Sequence, residues 1–581
     1  MGGLFLASTT APDLTADALP RAVAQFTAHG FSATTPIALP GWQGLHAPFI
    51  LGGPDGFLAR GDDLCAVAGT IVVDRLMGRA ALERLIDDID PLRLDWSRLG
   101  GQFAVLLRRA GRTFLFTDYF GAFQLLHDSG RRLFSTSLLS ALHALPRVAF
   151  DPQGVYEFAF NVAPIGGDTV FAGLHALGPD RIAELLPDGV RYHAVAKPLP
   201  RTADTLPMPE RTERARARLH AIVAPHVAAF GDRIQCPLSG GLDSRLLLAA
   251  LRAAGASPSL YVYGPPGSAD VAIAQAIGAA EGTPVEWIEK GRAPLSPDAF
   301  PAHVAAEFDR GDALPNYGNI FDNGGNTAAL EARHAGGRLA ASGGCGEIYR
   351  DFFYLADRPR TARAVAATFF ARFVAGDATA MFDGRVFLDR LAAKIAHAVD
   401  LPVDRPIPRQ VIEQIYPRIR CGALFGREIS MEARHGAYLM PFLDHGVVAD
   451  AMTLPVGLKR AGRFEAQLLA AIDPALAAHP SAYGHDFAGS PSRRHRLQEW
   501  STRIRPIWLR QRSYAIQRRL RPLGDEHGGL LSPDYMHRVI DPDFPAMRRY
   551  FRMDHVTDSG LYRRIACLEY LAARLGSRLA A

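Results

Sequence analysis

The sequence predicts a two-domain α/β protein: a β-rich N-terminal domain, then a C-terminal domain with a parallel sheet and many helices. Three observations support this prediction. Short apolar runs between turn residues fill residues 1–197, a stretch with four prolines and little periodicity follows at 198–209, and strand and helix patterns alternate after it. We therefore predict domains at 1–197 and 210–581, joined by a linker at 198–209.

The N-terminal domain is predicted to be a pair of packed sheets. Its first residues, MGGLFLASTT, have no basic region and only a short apolar run, so they predict a strand rather than a signal peptide. Four later runs punctuated by Gly or Asp predict hairpins, at 102–109, 113–120, 131–139 and 181–195. Two helices are predicted near 80–88 and 152–162.

The C-terminal domain begins with alternating elements. Helices are predicted at 210–230, 242–255 and 269–282, and strands at 233–241, 259–264 and 284–290. Strands that alternate with helices of this length indicate βαβ units of a parallel sheet. From about residue 300 to 581 the pattern is mainly helical.

Composition excludes several classes of protein. The 581 residues are 48% hydrophobic and 21% charged, which argues against disordered, collagen-like and coiled-coil chains. The net charge of +5 is too small to indicate a nucleic-acid partner. Five cysteines without a CxxC pair suit a reducing compartment, so we expect a cytoplasmic protein. No apolar run is long enough to span a bilayer, and no membrane partner is predicted.

The strongest motif is SGGLDS at residues 239–244, where the first parallel strand meets its helix. A helix N-terminus offers unpaired N–H groups to an anion, and two glycines allow close approach of a phosphate. Two serines add hydroxyl donors, and Asp243 suits Mg²⁺ bridging phosphates. The predicted nucleotide-binding residues here are Leu238, Ser239, Gly240, Gly241, Asp243 and Ser244.

SGGLDS resembles the pyrophosphate loop of ATP pyrophosphatases, and most of all that of the asparagine synthetase superfamily. Tyr263-Gly264 resembles the adenine-side strand of that superfamily. Ser342 and Gly343 resemble its second nucleotide loop, and the metal carboxylate of that loop falls on Glu347. The resemblance implies ATP and Mg²⁺ as cofactors, with Asp243 and Glu347 as the metal ligands.

The resemblance extends over nearly the whole chain. EAR at 432–434 and PFLD at 441–444 match late segments of the superfamily, and stretches between residues 100 and 185 resemble an Ntn-type glutamine-amidotransferase domain. That domain uses a cysteine directly after the initiator Met as its nucleophile. Gly2 stands at this position and Cys65 is the nearest cysteine, so we interpret the domain as degenerate and without glutaminase activity.

Without an ammonia source, the amine must belong to the substrate, as in β-lactam synthetases and lasso peptide cyclases. β-Lactam synthetases carry a tyrosine base where this chain has Gly344. The superfamily's late lysine is missing from the predicted helix at 464–472, although Lys459, Arg460 and Arg463 lie just before it. Which of the three replaces it stays open. Lys459 is our candidate catalytic residue beside Asp243 and Glu347.

The sequence most resembles a lasso peptide cyclase. This resemblance implies adenylation of an Asp or Glu side chain of a precursor peptide, followed by attack of the peptide's N-terminal amine to form a macrolactam. The implied partners are a leader-peptide-binding element and a protease. The alternatives are a β-lactam-synthetase-like or ammonia-dependent asparagine-synthetase-like ligase of small molecules, and a non-catalytic nucleotide-binding scaffold.

A basic stretch near the C-terminus has no place in this prediction. Residues 493–521 hold ten arginines against one glutamate, interleaved with Trp500, Trp508 and Tyr514. The pattern fits a solvated helix face as well as a docking surface for an acidic peptide or partner protein.

Overall fold

A computed structural model describes residues 2–11, 14–290, 295–522, 524 and 529–580. Antiparallel sheets occupy the chain up to Ala194, a parallel sheet lies between Ile234 and Leu439, and most of the remainder is helical. The predicted α/β architecture, with antiparallel sheets first and a parallel sheet with many helices after them, is confirmed.

Two six-stranded antiparallel sheets form most of the N-terminal part. The strands are β1 Gly3–Ser8, β2 Thr35–Leu39, β3 Trp42–Ala47, β4 Phe57–Arg60, β5 Asp63–Val73, β6 Leu99–Arg109, β7 Arg112–Thr117, β8 Leu126–Asp128, β9 Leu133–Ser135, β10 Ala149–Phe150, β11 Phe171–Ala172, β12 Leu174–Ala176, β13 Arg181–Leu186 and β14 Gly189–Ala194. Their orders are β12-β8-β9-β1-β3-β2 and β14-β13-β7-β6-β5-β4, while β10 pairs with β11. Strands β1 and β5 contact each other, so the two sheets share a core.

The predicted hairpins are present with one exception. Strands β6 and β7 pair up to Arg109↔Arg112, and β13 and β14 pair up to Leu186↔Gly189. The run at 131–139 is only partly a strand, because a helix begins at Leu138. The Ser137 hydroxyl caps that helix by accepting from the Ser140 amide at 3.0 Å, which apolar patterning did not reveal. The α-helices among the described residues of this part are α1 Ala18–Ala28, α2 Arg79–Asp88, α3 Leu138–Ala144 and α4 Pro152–Asn161.

The parallel sheet has five strands in the order β17-β16-β15-β18-β19. These are β15 Ile234–Pro237, β16 Ser259–Tyr263, β17 Val285–Ile288, β18 Leu339–Ala341 and β19 Tyr438–Leu439. The helices are α5 Met208–Phe230, α6 Leu242–Ala253, α7 Ala269–Glu281, α8 Phe300–Arg310, α9 Gly325–His334, α10 Ala362–Phe369, α11 Gly384–Ala398, α12 Arg409–Ile412, α13 Gly426–His435, α14 His445–Met452, α15 Val456–Lys459, α16 Arg463–Ile472, α17 Pro474–Ala478, α18 Arg493–Ile504, α19 Ile507–Leu520, α20 Pro533–Met536 and α21 Ser559–Leu575. A π-helical segment, Tyr416–Phe425, precedes α13.

The first predicted βαβ elements agree with the structure to within a few residues. The predicted strand at 233–241 is shorter in the structure, as β15 ends at Pro237, and helix α5 begins at Met208, inside the predicted linker. Pro209 lies in its first turn, where a missing N–H costs no helical hydrogen bond. None of the described helices is long and apolar enough to cross a membrane. The five cysteines are buried free thiols.

A buried charge cluster joins the two parts of the chain. Asp312, which follows α8, accepts hydrogen bonds from the amides of Leu138 (2.7 Å) and Leu139 (2.8 Å) at the start of α3. It also pairs with Arg434 at 2.7 Å and Arg427 at 3.4 Å. These two arginines help to hold the pKa of Asp312 well below its usual range, although burial opposes them.

We expect Asp312→Ala to destabilise the protein strongly, by about 3–5 kcal/mol, because two buried guanidinium groups lose their shared carboxylate. Chemical denaturation followed by circular dichroism measures the loss. Asp87→Ala, which removes an exposed pair with Arg60, is the matched control and should leave the midpoint near that of the wild type. Equal midpoints for the two variants would contradict this account of the interface.

Candidate active site

The SGGLDS segment connects β15, the central strand of the parallel sheet, to helix α6. It therefore lies at the carboxyl edge of the sheet, where open α/β folds bind their ligands. Gly241 is the N-cap of α6 and offers no side-chain acceptor, so the amides of the first turn have no side-chain cap. Leu238 is buried behind the loop, and its amide donates to the Tyr261 carbonyl at 2.8 Å.

Hydrogen bonds within the loop hold its backbone in place. The Ser244 hydroxyl accepts from the Ser239 amide at 3.0 Å, and the Ser239 hydroxyl accepts from the Gly241 amide at 3.2 Å. Asp270, near the start of α7, accepts from the Gly240 amide at 2.9 Å. The two predicted serines thus shape the loop, and Asp270 adds a support that the sequence analysis did not include among the site residues.

The second predicted loop lies directly against the first. Strand β18 pairs with β15, and Ser342 and Gly343 follow its end. A Cβ at Gly343 would lie 2.9 Å from the backbone carbon of Asp243, and one at Gly346 would lie 2.3 Å from Asp243 Oδ1. Both glycines are therefore required for the two loops to meet, and the structure brings these predicted residues together.

Two predicted carboxylates and a third one converge on Arg350. Its guanidinium forms ion pairs with Asp243, with Glu347 at 3.7 Å and with Glu465 of α16 at 3.4 Å. Burial and the neighbouring Asp243 raise the pKa of Glu465 well above its usual range. Tyr416, which lies in the π-helical segment, donates a hydrogen bond to Glu347 Oε2 at 2.5 Å. The sequence analysis missed Arg350, although it lies one helical turn after Glu347.

The two predicted metal ligands fit Mg²⁺ bound together with phosphates. The side chains of Asp243 and Glu347 are 24% and 31% exposed, and Asp243 Oδ1 has no hydrogen-bond partner among the described residues. No group of three or more His, Cys, Asp or Glu side chains in the described part of the chain is arranged to hold a metal ion alone. Mg²⁺ commonly binds through one or two carboxylates with the remaining ligands supplied by phosphates and water.

Lys459 lies fully buried behind the second loop. Its ammonium donates to the Ile348 carbonyl at 2.7 Å and to Glu413 Oε2 at 2.9 Å. Burial lowers its pKa, although Glu413 opposes the shift. The lysine thus holds the residue next to Glu347 in position. Arg460 and Arg463 instead line a separate pocket of 910 Å³.

The predicted adenine-side residues border a large cleft of 1040 Å³. The ammonium of Lys290 lies 3.8 Å from the centroid of the Tyr263 ring. The Gly264 carbonyl accepts a hydrogen bond from the indole N–H of Trp287 at 2.9 Å. The far wall carries Arg372 and Arg420, which both contact the ring of Phe369, at 4.7 and 4.9 Å. Neither arginine forms an ion pair with a described residue, so this wall can receive an anionic group.

Residue 2 has no room for a side chain. A Cβ at Gly2 would lie 2.2 Å from Cε1 of Phe31 and 2.5 Å from the Pro48 carbonyl oxygen. The position at which the resemblance would place a nucleophile is filled by the ring of Phe31.

Comparisons with known proteins add little to what the geometry of the site shows. No family model matches the chain, and no curated protein matches it. Among solved structures, glutamine phosphoribosylpyrophosphate amidotransferase from B. subtilis, complexed with ADP and GMP, is 9% identical over 49% of this chain and 90% of its own, with a TM-score of 0.25. A structure described as the allosteric regulatory enzyme of purine biosynthesis is 12% identical over 50% and 66%, with a TM-score of 0.23. The interpretation of the site rests on its own residues.

We expect Gly346→Ala to abolish thermal stabilisation of the protein by Mg²⁺ and ATP, because the new methyl group must displace the Asp243 carboxylate. Differential scanning fluorimetry with and without Mg²⁺ and ATP measures the effect. Gly457→Ala is the control, since no atom lies within 4 Å of its added Cβ. A full nucleotide-dependent shift in Gly346→Ala would show that close packing of the loops is not needed for binding.

We expect the protein to release no glutamate from glutamine, because residue 2 has no thiol. Gly2→Cys should not restore the activity, since Phe31 occupies the space that the thiol needs. A glutamate dehydrogenase assay detects the product. Glutamate formed by either protein faster than in a blank would contradict the assignment of this part of the chain as catalytically inactive.

Proposed function

We propose that the protein is an ATP-dependent, AMP-forming carbon–nitrogen ligase of the asparagine synthetase type that closes a macrolactam in a precursor peptide, as lasso peptide cyclases do. The observation that carries the proposal is the contact between the two loops. It brings Asp243 and Glu347 to one guanidinium, Arg350, at the carboxyl edge of a parallel sheet.

The residues at this edge have separate roles in the proposal. The SGGLDS loop and the first turn of α6 bind the phosphates, while Asp243 and Glu347 hold Mg²⁺. ATP supplies the adenylyl group that makes a carboxylate electrophilic, and Mg²⁺ neutralises charge on the departing pyrophosphate. Arg350 holds the carboxylates in position, and Lys459 holds the second loop in position.

The proposed reaction joins a carboxylate to an amine of the same peptide. A carboxylate oxygen attacks the α-phosphorus and pyrophosphate leaves. The amine nitrogen then attacks the acyl carbon, AMP leaves with the bridging oxygen, and the nitrogen loses a proton. Holding both groups in one cleft converts the second step into an intramolecular reaction.

Two features favour an amine supplied by the substrate over ammonia or an enzyme-assisted β-lactam closure. Gly2 removes the internal source of ammonia. Gly344 stands where β-lactam synthetases have a tyrosine, and a Cβ there would lie 2.9 Å from Met440 Cε and 3.0 Å from Phe425 Cε1. A peptide α-amine has a pKa near ~8 and is partly neutral without a dedicated base.

The cleft supports a peptide substrate. Its volume of 1040 Å³ slightly exceeds the range of small-molecule pockets, which span about 300–1,000 Å³. Arg372 and Arg420 present unpaired guanidinium groups over Phe369, which suits the acidic side chain of such a peptide. A leader-peptide-binding element and a protease are the partners that the proposal requires, and the cytoplasm is its compartment.

We expect Asp243→Asn to abolish ATP–pyrophosphate exchange, because a neutral amide binds Mg²⁺ far more weakly than a carboxylate. Radiolabelled pyrophosphate incorporated into ATP in the presence of the peptide is the readout. Asp486→Asn, on an exposed loop, serves as the matched control. Exchange at the wild-type rate in Asp243→Asn would remove the metal assignment.

We expect a candidate precursor peptide incubated with ATP, Mg²⁺, the processing protease and this protein to lose the mass of one water while AMP accumulates. Mass spectrometry and nucleotide chromatography measure the two products. Replacing the acidic ring residue by its amide, or acetylating the N-terminal amine, should prevent the mass loss. A cyclised amide variant, or ADP in place of AMP, would show that the proposed reaction is wrong.

A further inference from the structure

Helices α18 and α19 form an exposed pair that the proposed reaction does not use. Neither helix contains a buried residue. Polar side chains attach them to the segment that follows the second loop: Arg503 pairs with Asp351 at 3.1 Å, and Arg510 donates to the Phe353 carbonyl at 3.2 Å. Glu499 also accepts from the Ala461 amide at 2.9 Å, and the sides of the two helices away from such contacts are exposed.

Helix α18 carries an apolar stripe on its exposed side. Leu497, Trp500 and Ile504 are spaced by three and four residues, which places them on one face of a helix. They are 63%, 54% and 56% exposed. Three large apolar side chains in a row at this exposure are unusual for a surface that only contacts water.

Helix α19 repeats the arrangement. Leu509, Ile516 and Leu520 share one face of the helix, about 100° around the axis from Arg510, and they are 38%, 57% and 75% exposed. Trp508 lies beside this stripe and is 58% exposed. At 1.5 Å per residue, the apolar stripes extend about 10 Å along α18 and about 16 Å along α19.

Seven exposed arginines surround the two stripes and form no ion pair with any described carboxylate. They are Arg493, Arg494, Arg496, Arg505, Arg512, Arg519 and Arg521. The three other arginines of the stretch are partly buried and bind the body of the protein: Arg503 and Arg510 as above, and Arg518 through Asp558. The unpaired positive charge is thus concentrated on the exposed side.

We propose that α18 and α19 together form a peripheral binding surface for anionic lipid bilayers, with both helices lying in the plane of the headgroups. Basic amphipathic helices with Trp and Leu on the apolar face bind in this way. Exposed arginines meet the phosphates of anionic lipids, while the stripes enter the acyl boundary.

Two features favour a bilayer over other anionic partners. Nucleic acid would use the tryptophans for stacking but would leave Leu497, Ile504, Leu509, Ile516 and Leu520 in water. A folded acidic protein must match each arginine with a fixed carboxylate, whereas lipids diffuse laterally to each charge. The sequence predicts no membrane partner because it has no spanning segment, but a helix that lies on the surface of a bilayer does not require one.

Vesicle co-sedimentation of the full chain tests the proposal without any catalytic activity. The wild type should pellet with mixed phosphatidylcholine–phosphatidylglycerol vesicles, but not with pure phosphatidylcholine, and raised salt should weaken the binding. The double variant Arg512→Glu and Arg519→Glu should bind at least about twentyfold more weakly, since each basic residue near the surface contributes about fivefold. Trp500→Ala with Trp508→Ala should also weaken binding.

The matched control is Arg385→Glu with Arg390→Glu, which reverses two exposed charges on α11. It should bind anionic vesicles like the wild type. The proposal is wrong if the wild type does not bind anionic vesicles, if it binds neutral ones equally, or if the α11 control loses as much affinity as the α19 variant. Binding of single-stranded RNA in place of vesicles would also overturn it. Asp243→Asn should retain vesicle binding, which separates this result from the ligase proposal.

Discussion

The arrangement of the site depends on Arg350. Its guanidinium is the common partner of carboxylates from three separate elements: Asp243 on α6, Glu347 in the second loop and Glu465 on α16. Without a cation between them, three acidic groups in a largely buried space would repel one another. Arg350 therefore allows Asp243 and Glu347 to lie close together where the SGGLDS segment meets the second loop.

The antiparallel sheets help to position the second loop of the site. Thr70 of β5 accepts from the Tyr438 amide at 2.9 Å, and Tyr438 begins β19. The next residue, Leu439, accepts from the amide of Ser342 at 2.9 Å. A chain of contacts thus runs from the N-terminal sheets to the second loop, so the position of that loop depends on both parts of the molecule.

The parts of the site that follow from local patterning could be predicted from the sequence. SGGLDS predicted a strand-to-helix loop because turn residues and helix periodicity are local properties, whereas the second loop and Glu347 are assigned by resemblance to the asparagine synthetase superfamily. Arg350 and Glu465 could not be assigned in this way, since their roles depend on charges that meet only in the folded chain. Lys459 had the right charge, but its complete burial against Glu413 is a tertiary feature. For the same reason, composition could not tell which arginines of α18 and α19 lack partners.

The central claim is that this edge of the sheet activates a carboxylate by joining it to the α-phosphate of ATP. Oxygen-isotope transfer tests that claim most directly. A candidate peptide whose acidic side chains carry ¹⁸O is incubated with unlabelled ATP and Mg²⁺, and the nucleotide and phosphate products are analysed by mass spectrometry. The account predicts one ¹⁸O atom in AMP, because the bridging oxygen leaves with the phosphate. Label in inorganic phosphate with ADP formed, or unlabelled AMP accompanying the cyclised peptide, would contradict it.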